Sequence, residues 1–231
     1  MKIWTWTEMK AKIKRDLDLE DETFITDTEL LGYLNTAIDD AEQIIISLYE
    51  KYFETEAYLP LVADTQSYDL PSDIYATKIT HIQYDDGSTK YPIRRIREIG
   101  EIAYVQSNDQ LRYRIVNDAN NGFQIKFYPT PTETSSTNVI IYYLRNANEI
   151  TLDADTLDMP EAAQYIMQHI KDQCMNKELG TMYSAPPSGA LMKQEEMLKQ
   201  ILSDMVPDTD NKIDPDTSFY DDYYCGQEDF D

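Results

Sequence analysis

The stretch Thr26-Asp27-Thr28-Glu29-Leu30-Leu31-Gly32-Tyr33-Leu34-Asn35, continuing through Thr36-Ala37 to about Phe53, decides the fold class. Thr26 followed three residues later by Glu29 is a capping-box signature, which places a helix start here. Behind it Leu30, Leu34, Ile38, Ala41, Ile45, Leu48 and Tyr52 recur at alternating steps of three and four. That spacing predicts an amphipathic helix with one apolar stripe. A stripe this long is expected to be buried against other elements, since an apolar face left in water is unfavourable.

Upstream, Thr5 and Glu8 repeat the capping signature, and Met9, Ile13 and Leu17 fall on one face. The pattern changes after Thr55. Tyr58 to Val62 and Ser67 to Leu70 flank a turn-like Ala63-Asp64-Thr65-Gln66, which reads as a hairpin ended by Pro71. Residues 74–84, IYATKITHIQY, form the clearest strand, and Asp86-Gly87 turns it into a partner from Lys90 to Ile96. Arg95 to Val105 reads as a short helix with Ile96, Ile99, Ile102 and Ala103 as its apolar face. Strands at Gln110–Val116 and Phe123–Tyr128 flank Asn120-Asn121-Gly122, and a last strand runs from Val139 to Leu144.

Helices then resume. Pro160 suits a first helical position. Ala163, Ile166, Met167, Ile170 and Cys174 share a face, and Gly180 stops the run. After Pro186-Pro187 a final helix reaches about Met205, with Leu191, Leu198, Ile201, Leu202 and Met205 inside. The expected class is α+β. Helix pairs in residues 1–54 and 155–206 form a bundle, residues 55–147 form an inserted, mainly antiparallel β module, and residues 207–231 form an extended acidic arm.

Charge bounds the partners. The chain has 43 Asp and Glu against 20 Lys and Arg, a net −23. Binding to nucleic-acid phosphates needs clustered cations, which a body this acidic does not offer overall, although an acidic wall could line a passage for DNA without adhering to it. Residues 207–231 hold nine acids, one base (Lys212) and the aromatics Phe219, Tyr220, Tyr223, Tyr224 and Phe230. With so little aliphatic surface this segment is not expected to fold alone. Its aromatics suit docking on a partner; a solvated acidic tail without a role is the plainer reading. One basic cluster, Arg94, Arg95 and Arg97 with Lys90, offers either a site for an acidic neighbour or ion pairs to Glu98 and Glu101.

Catalytic and metal signatures are missing. His81 and His169 have no partner at zinc-protease spacing, and the seven glycines form no phosphate loop, dinucleotide fingerprint or nucleophile elbow. Acid pairs such as Asp39-Asp40 and Asp85-Asp86 occur by abundance. Asp208-Thr209-Asp210-Asn211 begins like a calcium loop, but Ile213 and Phe219 stand where glycine and glutamate are needed. No cofactor or metal is expected. Cys174 and Cys225 suit reduced thiols in an intracellular protein. No apolar stretch reaches membrane-spanning length, and MKIWTWTEMK lacks the apolar run of a signal peptide, so a soluble protein made in a cytoplasm is expected.

Three features together carry a resemblance: the capped helix from Thr26 to Asn35 with Asn35-Thr36-Ala37 behind it, the phrase Tyr68-Asp69-Leu70-Pro71-Ser72-Asp73, and the strand opening at Ile74. Over about residues 5–205 the organisation resembles the head-to-tail adaptor proteins of tailed bacteriophages, chiefly short-tailed ones. The resemblance implies a non-enzymatic neck protein. About a dozen copies would assemble into a closed ring beneath the portal, continue the DNA channel and offer a platform to tail or nozzle proteins. It also implies that the β module faces outward or toward the tail, that the terminal arm reaches the portal, and that double-stranded DNA passes through during ejection without specific binding. The alternatives are a virion-associated peptidoglycan hydrolase, for which no residue stands out, and a non-viral acidic scaffold.

Overall fold

A computed structural model of the chain describes residues 2–19, 24–105, 110–180 and 186–206. Both capping boxes form. Thr5 opens α1 (Trp6–Asp16), where its hydroxyl accepts from the Glu8 amide and the Glu8 carboxylate accepts from the Thr5 amide. Thr26 and Glu29 open α2 (Asp27–Leu48) with the same reciprocal pair, at 3.2 and 2.9 Å. These bonds satisfy amides that a helix start leaves without partners.

The stripe of α2 is buried from Leu30 through Ile45, but the helix stops at Leu48 rather than continuing to Phe53. Glu50–Phe53 form a 3-10 turn, and Leu48 is left exposed. Packing explains the break. The turn drives Phe53 into the core, where its ring meets Tyr52 edge-on and lies under the Arg145 guanidinium.

Two four-stranded sheets follow. In the first, β1 (Glu54–Leu61), β8 (Ser135–Arg145), β3 (Ile74–Asp85) and β4 (Lys90–Pro92) lie in the order β1-β8-β3-β4, all antiparallel. In the second, β2 (Ser67–Asp69), β7 (Gly122–Tyr128), β6 (Arg112–Asp118) and β5 (Arg94–Arg95) lie in the order β2-β7-β6-β5, with β5 and β6 parallel. Leu59, Leu61, Ile82, Val139 and Ile141 of the first sheet meet Tyr68, Tyr113, Ile125 and Phe127 of the second in one apolar cluster. Alternation along each strand produces this, since every second side chain faces inward.

Two strand assignments read from the sequence are corrected. Residues 58–62 and 67–70 are not a hairpin: β1 pairs with β8 and β2 with β7, so the connection arches from one sheet to the other. The arch wins because Leu61 and Tyr68 both need burial, from opposite sides of the same core. Lys90 to Ile96 is likewise not one strand. Ile93 donates to the Ile82 carbonyl of the first sheet, and Ile96 donates to Tyr113 of the second. The helix expected from Arg95 shrinks to α3 (Glu101–Val105), and Ile99 and Ala103 are exposed rather than packed.

Pro160–Ala162 form a 3-10 turn that leads into α4 (Ala163–Glu178), and α5 spans Gly189–Met205 behind a Ser188 cap. Leu191, Leu198 and Leu202 of α5 are buried; Ile201 and Met205, expected inside, are more than one-third exposed. The inner faces of α1, α2, α4 and α5 contribute to one cluster of buried apolar residues. The fold is a mixed α+β one.

Candidate docking surfaces

The segment 146–159 joins the β strands to the helices, and its side-chain bonds are dense. Asn35 on α2 is central. Its amide donates to the Ile150 carbonyl at 3.0 Å and its oxygen accepts from the Ile150 amide at 3.1 Å, so one side chain pairs like a strand. Arg145 donates to Asp158 at 2.8 Å, and Asp158 also accepts from the Asn148 amide. Glu42 accepts from the Ala147 amide, and Tyr52 donates to Glu161. Lys10 bridges Asp27 and Asp153, and the Thr7 hydroxyl donates to the Asp153 carbonyl. Ile150, Leu157 and Met159 insert into the helical cluster between these polar pins.

Burial shifts the ionisation of this region. Desolvation raises Glu42 above the usual carboxylate range, against the Ala147 amide bond that lowers it. Desolvation, then the Glu161 hydrogen bond, pushes the Tyr52 phenol well up. A carboxyl with a raised pKa is what a glycan hydrolase needs opposite a second carboxylate. Glu42, however, is buried under segment 146–159 and engaged with its backbone, not presented in a cleft.

The residues of the sequence phrase at 68–73 also act structurally. The Tyr68 hydroxyl accepts from the Val62 amide and lies within hydrogen-bond reach of the Val62 and Thr65 carbonyls, which holds the arch between the sheets. Asp73 accepts from the Tyr143 hydroxyl through its side chain and from the Asn146 amide through its carbonyl. Burial, then that Asp73 contact, raises the Tyr143 phenol to about 12.

The three arginines do not act as one patch. Arg94 and Arg95 are adjacent in β5 and therefore point to opposite sides of the second sheet. Arg94 pairs in register with Arg112, and Arg95 with the inward Tyr113. Arg97 lies beyond the strand, and all three are exposed. Among the described residues no ion pair joins these arginines to Glu98 or Glu101, and Lys90 pairs with Asp85 at 3.3 Å. The sequence carried no signal for Arg112, Arg114 and Lys126, which the sheet brings to the side of Arg94, because a parallel pairing between distant strands has no local signature. Phe219, Tyr220, Tyr223, Tyr224, Phe230 and Cys225 lie outside the described residues.

Other candidate chemistry is occupied. His169 Nε2 sits 3.0 Å from Asp40, and Cys174 is buried, which raises its thiol to about 11. Asp86 caps its own turn through the Ser88 and Thr89 amides. Among the described residues no group of His, Cys, Asp or Glu is arranged to hold a metal ion, and no helix is long and apolar enough to cross a membrane.

The model of the SU10 adaptor protein family matches residues 4–216, so the chain belongs to that family. It is a bacteriophage structural adaptor, and membership implies a component of the virion neck that interacts with portal and tail proteins. No curated protein matches the chain.

Proposed function

We propose that the chain is the subunit of a homo-oligomeric ring, of about a dozen copies, seated below the portal of a short-tailed phage. Residues 1–54 and 155–206 supply the helical body of the ring. The β module of residues 55–147 faces outward or toward tail proteins. Residues 207–231 dock on a neighbour through Phe219, Tyr220, Tyr223, Tyr224 and Phe230, since buried aromatic anchors concentrate interface energy. The ring continues the DNA channel, and its acidic surface lets double-stranded DNA pass without adhering.

The family match over residues 4–216 carries this reading. The shared helical cluster and the pinned 146–159 segment support it, because a ring subunit has to keep its faces in fixed relation. The chain mixed with purified portal rings should shift from monomer to a ring-sized complex in sedimentation, and residues 207–231 should become protease-resistant only in that complex. A chain that stays monomeric with portal present, or a tail cut equally fast in both states, would defeat the proposal.

A further inference from the structure

The outer face of the second sheet gathers cations in an acidic chain. The register sets Arg94 beside Arg112, and Arg114 beside Lys126. Residues paired across strands share a face, so all four lie on the side away from Tyr113, Ile125 and Phe127, which fill the core. Like charges set opposite one another destabilise a sheet unless something offsets them. Among the described residues none of the four forms an ion pair. Two acids share the face near its turn end. Asp69 accepts from the Gln124 side chain, and Asp118 from the Asn120 and Asn121 amides.

The chain itself holds the complementary chemistry. Residues 207–231 pair nine acids with five aromatics. With nine acids against the single base Lys212, that segment is complementary in charge to the four cations.

We propose that this basic face receives the acidic segment 207–231 of a second copy of the chain. This rests on the reading of the protein as one of several adjacent copies. Copies that each carry −23 repel one another, and a contact between one copy's acidic segment and the next copy's cations offsets part of that repulsion. Arginine is suited to it, since its planar fork takes carboxylates two bonds at a time.

A labelled peptide of residues 207–231, titrated with the full-length chain and followed by fluorescence anisotropy, tests this. Saturable binding is expected at low salt, weakened about ten-fold or more at high salt. Arg112→Glu with Arg114→Glu should produce a similar loss. Arg94→Glu, on the exposed edge strand, should weaken binding without disturbing the sheet interior, and an unchanged thermal melt identifies a folded variant. Cross-links from the segment to β6 should join two chains. Absence of saturable binding, affinity indifferent to these reversals, or cross-links confined within one chain overturns the proposal. A short DNA duplex that binds more tightly than the peptide, and is lost in the same variants, also overturns it by assigning the face to nucleic acid. The position of the chain in the virion is a separate measurement: failure there would leave peptide binding intact, and failure here would leave the neck assignment standing.

Discussion

Tyr68 holds the arch at residues 62–65 with a single hydroxyl. Tyr68→Phe leaves the Val62 amide without its acceptor and should cost about 1–3 kcal/mol, read as a lower urea midpoint at unchanged slope. Asn35→Ala should cost a similar amount, about 1–3 kcal/mol, by releasing both backbone groups of Ile150. Asn35→Asp should recover part of that loss, because its oxygens still accept from the Ile150 amide. Glu29 gives a pH signature. The Lys177 ammonium, then the Thr26 cap, holds its carboxyl at about 2 in the folded chain, against an ordinary value of 4.5. The folded state therefore binds fewer protons here than the unfolded one. Its contribution is full above about pH 4.5 and is lost as the pH falls toward about 2. Glu29→Gln should flatten the decline of melting temperature across that window.

At the scale of elements, the helices and the two hairpins at Asp86-Gly87 and Asn120-Asn121-Gly122 were legible, and the other strand partners were not. Each helix answers to one core, so the three-and-four spacing of Leu30, Leu34, Ile38 and Ile45 reports burial directly. Leu34→Ala should cost about 2–5 kcal/mol by opening a cavity, whereas Ile201→Ala on the outer side of α5 should stay within about 0.5 kcal/mol; chemical denaturation separates the two. Strand pairing depends on residues far away in sequence. Nothing between Tyr58 and Leu70 says that the two segments belong to different sheets, and adjacency favoured a hairpin. The same limit hid the basic face. Arg94 was visible, but Arg112, Arg114 and Lys126 join it only through the β5-β6-β7 register. The capping boxes were readable because both partners lie within four residues of each other. The end of α2 was not, since Phe53 leaves the helix for a core contact made by tertiary packing.

At the scale of the whole molecule, one register pair has a wider effect. Glu54, the first residue of β1, lies opposite Leu144 near the end of β8. The chain thus enters and leaves its sheets at neighbouring points, a Cα separation of about 5 Å for an antiparallel pair. A turn of about two to five residues can span that gap. Replacing residues 54–144 with such a turn should leave a helical protein that melts cooperatively, detectable by far-ultraviolet circular dichroism. The sandwich is then an interchangeable cassette: its outward decoration can be exchanged for another without rethreading the helices beneath.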